Sequence, residues 1–530
     1  MKKAPVLHPF LFSLFPILAL YGHNIRSIPV PLDEVAWPLA ISIVSVSVLF
    51  VAFSMIFRSR AKGGLAASLI VLWFLSFGHL AGWVAFWTEG LFARSLLLAT
   101  VLLVGVAVFF TGRSRRDFAG LTRVLNVVAA TLVLLNLASA AQILASRSRI
   151  SSGPKVRVSE PAAGRPNIYY IVLDAYTRAD ILHEVFSLDN APFLIGLESR
   201  GFTIAGNSYA NYNLTHQSLA SSLNFTLLDE VAKDAGTASS DRDPLYAMIR
   251  ENRAMAFLKE QGYRLITVSS SIEPTDFRTV DRYFGFAASD SEFRTVLLNT
   301  TPWPLLFGSR RSAEPYDAHR LRILNAFAAL EASPREKGPF FMFVHIMAPH
   351  PPFVFGPKGE PVDPGYLFAM VDADRLHGAN LSALPEYLAR YRGQLVFLNS
   401  KILSAVDAIL RESSEPPVIV LQGDHGSRAH ADLDRAEASY FKENLAILNA
   451  YHLPGDAGSL VYRSISPVNT FRLIFKHYLG ADLDLLEDRS YWCTWRRPYK
   501  FIAFDETTYG ETIESVRAAM KPKSPIIQAR

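Results

Sequence analysis

Before residue 150 the sequence holds four or five apolar runs, the fourth the weakest, each near the roughly 20 residues a helix needs to cross a bilayer. They cover about 6–22, 37–57, 65–87, 91–111 and 124–145. Inside lipid the backbone must satisfy its own hydrogen bonds, so such runs can only be helices. The chain therefore opens as a helical membrane unit, and the remaining residues must fold separately. The first run, after Met1-Lys2-Lys3, resembles a secretory leader. No small-x-small cleavage site follows it and further runs come directly after, so it reads as retained. Arg94 sits near the start of the fourth run, where its charge can snorkel to the interface.

Charge is divided unevenly. Residues 1–160 carry 15 Lys and Arg against 5 Asp and Glu, and residues 161–530 carry 38 against 43. The net charge of +5 thus comes from the membrane half, so nucleic acid is not an expected partner. Cationic short loops mark the cytoplasmic side. Lys2 and Lys3, then Arg58, Arg60 and Lys62, then Arg113, Arg115, Arg116 and Arg123 occupy alternate connections. Five crossings then put residue 146 onward outside the cytoplasm, periplasmic in a Gram-negative cell. Arg147, Arg149, Lys155 and Arg157 run against that rule. The single cysteine, Cys493, excludes an intrachain disulfide.

Residues 146–165 are rich in Ser, Pro, Gly and Arg and read as a linker. From 166 to 530 the pattern changes to an α/β domain. The runs IYYIVL (168–173), YRLITVS (263–269), FFMFVHI (340–346) and PVIVLQ (417–422) predict strands buried on both faces of a parallel sheet. Amphipathic stretches such as 244–260 and 386–411 lie between them. In such sheets functional groups collect beyond the carboxyl ends of strands.

Polar residues stand at those ends. Asp174 follows the first strand, as a metal ligand or as a helix cap. Asp424 and His425, in Gly-Asp-His-Gly, follow the last, and oxygen and imidazole both ligate divalent ions. Thr215 opens a helix-like run; it is either a cap or, beside a metal, a nucleophile at a helix end that favours phosphate. His345 and His350 could hold oxyanions, protonate a leaving group or bind a second metal, against the plainer reading of core histidines. Arg178, Arg428 and His430 flank these residues as candidates for gripping phosphate or completing a second metal site, against the plainer reading of solvated loop charges. The run Tyr491–Arg497 fits either a membrane surface or a packed carboxyl-terminal strand.

Taken in order, Asp174, Thr215, the stretch His345–Pro351 and Asp424-His425 resemble the alkaline phosphatase and sulfatase superfamily over about residues 166–480. The membrane helices add a similarity to lipoteichoic acid synthases and to phosphoglycerol and phosphoethanolamine transferases. That resemblance implies a bundle of about five transmembrane helices followed by a sulfatase-like domain with a mostly parallel sheet. It implies one divalent metal (Mn, Zn, Mg or Ca) on Asp174, Thr215, Asp424 and His425, with Thr215, His345 and His350 catalytic. The implied activity moves a phospho-alcohol from a membrane lipid to an envelope glycan or another alcohol through a phospho-threonine. The alternatives are a membrane-bound phosphoester hydrolase and a non-catalytic envelope-polysaccharide assembly protein. Asp174 stands where the transferases usually have Glu, as in hydrolytic members. Sulfatases proper need Cys or Ser in a Cys/Ser-x-Pro-x-Arg motif, and neither Cys493 nor Thr215 lies in one.

Overall fold

A computed structural model describes residues 5–24, 32–88, 93–147, 156–158, 164–270, 272, 274–285, 292–306, 314–362 and 384–505. Two compact units emerge. Met1–Arg149 and Asp290–Arg311 belong to the first, and Ile150–Ser289 and Ser312–Ser524 form the second. The expected linker lies largely outside the described residues. Within it, the backbone of Arg157 accepts from Asp482 and Val158 bridges to Ala481.

In the first unit the five runs are helices α1 (His8–Asn24), α2 (Leu32–Ile56), α3 (Arg60–Thr88), α4 (Ala93–Arg113) and α5 (Ala119–Arg147). Helix α1 packs on α2, α3 and α5, and α3 also packs on α2 and α4. Phe12, Val46, Ala67, Val71 and Ala129 close one interior cluster. Some polar groups of this unit are paired within it: His8 Nδ1 lies 2.7 Å from Ser68 Oγ, and Asn126 bonds the backbone at Pro5, Leu7 and His8. Outward faces are apolar, with Val48, Leu103 and Leu134 each more than 60% exposed. Surfaces of that kind suit lipid; α2, α3, α4 and α5 are long and apolar enough to cross a membrane, and this helical unit anchors the chain in one.

The second unit is built on a seven-stranded sheet. Its strands are β1 (Ile168–Leu173), β2 (Phe202–Ile204), β3 (Arg264–Val268), β4 (Arg282–Phe284), β5 (Phe340–Ile346), β6 (Val418–Gly423) and β7 (Asn449–His452). The order is β2-β7-β6-β1-β5-β3-β4. The four strands predicted from continuous apolar runs are β1, β3, β5 and β6, mutually parallel at the centre. Beyond β6, β7 runs antiparallel to it, and the edge strand β2 runs antiparallel to β7.

Helices cover both faces, which is why the central strands are apolar throughout. Tyr169, Ile171 and Leu173 face a core with α6 (Ala179–Phe186), α7 (Ala191–Glu198), α13 (Glu314–Ala332) and α14 (Leu384–Glu412). Ile168, Tyr170 and Val172 face another with α8 (Thr215–Ser222), α10 (Asp243–Arg250), α11 (Arg253–Glu260) and α16 (Pro467–Leu479). Helix α14 is long and apolar enough to cross a membrane, yet its apolar stripe lies in this core. Further elements are the short helices α9 (Asp229–Ala235), α12 (Glu292–Asn299) and α15 (Phe441–Leu445), and a hairpin of β8 (Ser490–Thr494) and β9 (Arg497–Phe504).

Candidate active site at the strand ends

Strands β1, β5 and β6 are neighbours, so their carboxyl ends bring distant residues together. Asp174 leaves β1 and Asp424-His425 leaves β6, and ligand atoms of these three buried residues lie within 4.8 Å of one another. Asp174 is locked by its own backbone: its N–H donates to Ile346 O at 3.0 Å and its carbonyl accepts from His350 N at 2.9 Å. The next residue, Ala175, has φ 63°, a left-handed conformation that costs a non-glycine residue on the order of 1 kcal/mol. This turn aims the Ala175 N–H at Asp424 Oδ1, 3.1 Å away.

The site's polar atoms fit a cation. Neither carboxylate oxygen of Asp174, nor Asp424 Oδ2, has a hydrogen-bond partner although all are buried. Buried carboxylates without partners are costly unless a positive charge meets them. His425 Nδ1 lies 2.8 Å from Gly426 O, so Nδ1 carries the proton and Nε2 turns its lone pair to the site. Burial, then the Arg428 charge, lowers the His425 pKa to about 4, leaving the ring neutral as ligation requires. For Asp174 burial alone would raise the pKa, but the imidazoles of His350, His345 and His425 bring it below the ordinary carboxylate range. A divalent cation suits carboxylate oxygens left without hydrogen bonds beside one oriented imidazole.

Thr215 begins α8, but no side chain caps that helix; the cap position is Leu214. The Thr215 hydroxyl instead lies 3.2 Å from His425 Nε2. Its helix is fixed from behind by the hairpin. Asn213 bonds the backbone of Cys493 in both directions, Gln217 donates to Cys493 Sγ and Pro498 O, and Arg242 bridges His216 to the Trp495 backbone while stacking on its ring. The Tyr491–Arg497 run is therefore a packed strand that braces the Thr215 turn, with Trp492 and Cys493 fully buried.

The two histidines have different surroundings. The His345 ring is enclosed, with Nε2 3.3 Å from Asp174 Oδ2 and Nδ1 2.9 Å from Thr275 Oγ1. It touches a candidate ligand rather than open space. His350 faces His425, ring centroids 6.3 Å apart. Among the flanking residues, Arg428 Nη2 lies 2.9 Å from His425 Nε2, inside the cluster. Arg178 is taken up elsewhere, by both oxygens of Asp180, by Ser208 O and by the Tyr209 ring. His430 pairs through Nδ1 with Glu443 at 2.9 Å.

Sequence reasoning does not single out Glu443 or Thr275. The Glu443 carboxylate accepts from Ser427 Oγ, Ala429 N, His430 N and His430 Nδ1, and so holds the loop after His425. Glu443 carries little signal of its own, because Lys442 and Asn444 flank it in FKENLAIL and make it one polar residue among three.

A family model described as Sulfatase matches residues 166–460, more than half of the chain. The protein belongs to the sulfatase family. Several solved structures are similar to it at low identity. The C-terminal periplasmic domain of EptC from Escherichia coli, in complex with Zn, is 13% identical, with 69% of this chain and 100% of that chain covered and a TM-score of 0.44. The lipoteichoic acid synthase LtaP from Listeria monocytogenes is 14% identical, covering 69% and 94%, TM-score 0.38. A phosphonate monoester hydrolase of Agrobacterium radiobacter is 13% identical, covering 62% and 80%, TM-score 0.37. No curated protein sequence matches the chain. Within the sulfatase family this chain is a form with a threonine, and no Cys/Ser-x-Pro-x-Arg motif, at the head of α8.

Proposed function

We propose that the protein moves a phospho-alcohol group, of phosphoglycerol or phosphoethanolamine type, from a membrane lipid to a cell-envelope glycan through a phospho-threonine on Thr215. The observation that carries this reading is the Thr215 hydroxyl, free of any capping role and 3.2 Å from His425 Nε2. Asp174, Thr215, Asp424 and His425 would hold a divalent ion, whose charge favours the threonine alkoxide and offsets charge on the phosphoryl group.

Thr215 Oγ1 attacks phosphorus, and the bond from phosphorus to the diacylglycerol oxygen breaks. That oxygen takes up a proton, for which His350 is the donor. The phosphoryl oxygens lie against the amino end of α8 and the Arg428 guanidinium. His345 acts indirectly by holding Asp174. An acceptor hydroxyl, giving its proton back to His350, then attacks the phospho-threonine, and the Thr215 oxygen leaves to restore the enzyme. Membrane anchoring supports a lipid donor, and the cationic loops support an extracytoplasmic domain. A hydrolase, with water as acceptor, is favoured by Asp174 standing where the resembled transferases usually have Glu.

Phospholipid labelled in its headgroup phosphate, supplied in vesicles with divalent ions and envelope glycan, separates these outcomes. Label on the glycan is the result expected. Label released only as soluble phospho-alcohol would favour the hydrolase, and no release with any of Mn, Zn, Mg or Ca would sink both.

A further inference from the structure

Between β4 and α13 the chain leaves the α/β unit, and Asp290–Arg311 groups with the membrane helices although globular-domain sequence surrounds it on both sides. Helix α12 inserts Phe293 and Leu297 among Ile17 and Tyr21 of α1, Val35 of α2 and Ala140 of α5. The Phe293 ring meets Tyr21 edge-on, centroids 6.4 Å apart. Just beyond α12 the backbone comes directly against α3. Gly78 N–H donates to Thr300 O at 2.7 Å, and a Cβ on Gly78 would fall 1.9 Å from Asn299 O. Only glycine allows that approach.

These contacts share one end of the bundle, where α1, α3 and α5 finish and α2 begins. They also share a depth. Val35 of α2 directly follows Asp33 and Glu34, where the apolar run of that helix begins, so the segment lies at the edge of the hydrocarbon layer. Its other surface is apolar and open: Val296 is 38% exposed, Leu298 39% and Leu306 56%, with Trp303 half-buried between them. Aromatic rings of this kind are favoured at the boundary of a bilayer. Leaving three such side chains against water forgoes the stabilisation that burying their apolar area would give. The exposed side chains of α2, α4 and α5 are likewise apolar, and the inner face of this segment packs on the ends of α1, α2 and α5.

The geometry points to residues 292–306 as an in-plane membrane element. Its inner face is docked on the helix ends through Phe293 and Leu297, and its outer face, Val296, Leu298 and Leu306, rests in the headgroup and acyl boundary of one leaflet. A loop of the catalytic domain's own sequence thus becomes part of the membrane unit, an attachment additional to the covalent one at residue 147. The inference goes beyond the transferase reading and stands apart from any turnover.

Spin labels on the full chain in phospholipid nanodiscs test it. Single cysteines replace Val296, Leu298 or Leu306 in a Cys493→Ser background, with Leu103→Cys as the lipid reference and Lys233→Cys as the water reference. The expected result is greater relaxation by oxygen than by a water-soluble nickel chelate at all three positions, as at Leu103. Nickel-dominated relaxation, as at Lys233, would place the segment in water; shielding from both reagents would mean a protein partner; either overturns the inference. Phe293→Asp with Leu297→Asp, or Gly78→Leu if that pair fails to fold, should move the labels at 298 and 306 to the water pattern. A lipid pattern unchanged in the variant would refute docking through that face.

Discussion

Asp174, His345 and Thr275 form a line in which each side chain fixes the next. If His345 Nε2–H points at Asp174, then Nδ1 must accept from the Thr275 hydroxyl. Thr275→Val removes that donor, and loss of such an outer partner typically costs roughly 10–100-fold in metal affinity. A chelator-competition titration should show this loss in Thr275→Val and near-normal affinity in Thr275→Ser; equal affinities for both would disprove the orienting role. Cys493 gives a second residue-scale expectation. Burial raises its thiol pKa to about 12, so the folded protein keeps the thiol protonated far above the usual range. A thiol reagent at pH 8 should leave it unmodified until denaturant is added, and stability should fall as pH rises past about 9, where the unfolded thiol ionises first. Rapid labelling of native protein would contradict that. The charged residues of the site were legible because acids and histidines interrupt apolar runs at strand ends. Thr275 was not, because it matters through a contact with His345, 70 residues away, and Glu443 was not, because its partners 13–16 residues earlier lie across a loop with no periodic signal.

At the scale of elements, the β6 exit is held against α15 by backbone proximity. A Cβ on Gly426 would sit 2.2 Å from Glu443 O and 2.7 Å from Ala446 O. Gly426→Ala must push α15 away from the loop that Glu443 clamps, at a cost of roughly 1–3 kcal/mol for a forced shift in a packed region. A thermal melt should fall by several degrees, and metal affinity should fall with it; an unchanged melt would mean that the loop has slack. Strands β1, β3, β5 and β6 could be read from sequence because burial on both faces makes them continuously apolar. Strands β2 and β7 are three and four residues long, too short to carry a periodic signal. The β8–β9 hairpin was ambiguous for another reason: Tyr, Trp and Arg suit a membrane surface and a packed edge equally well.

For the whole molecule, five hydrophobic helices precede one α/β domain of the sulfatase family, an order legible from apolar length alone. What length could not reveal is the return of 290–311, since EFRTVLLN reads as any short amphipathic helix and its partners lie some 150–280 residues earlier. An outward catalytic domain is expected from the loop charges, so a reporter active only in the cytoplasm, fused after residue 530, should stay silent; a strong signal would reverse the orientation. The central claim is covalent chemistry at Thr215, and peptide mass spectrometry of protein quenched in acid during turnover of phospholipid tests it most directly. The account expects a phospho-alcohol adduct on Thr215 that disappears when acceptor is added, with no turnover in Thr215→Ala and partial turnover in Thr215→Ser. Undiminished turnover in Thr215→Ala, with no adduct on the wild type, would contradict it and leave a water molecule as the nucleophile.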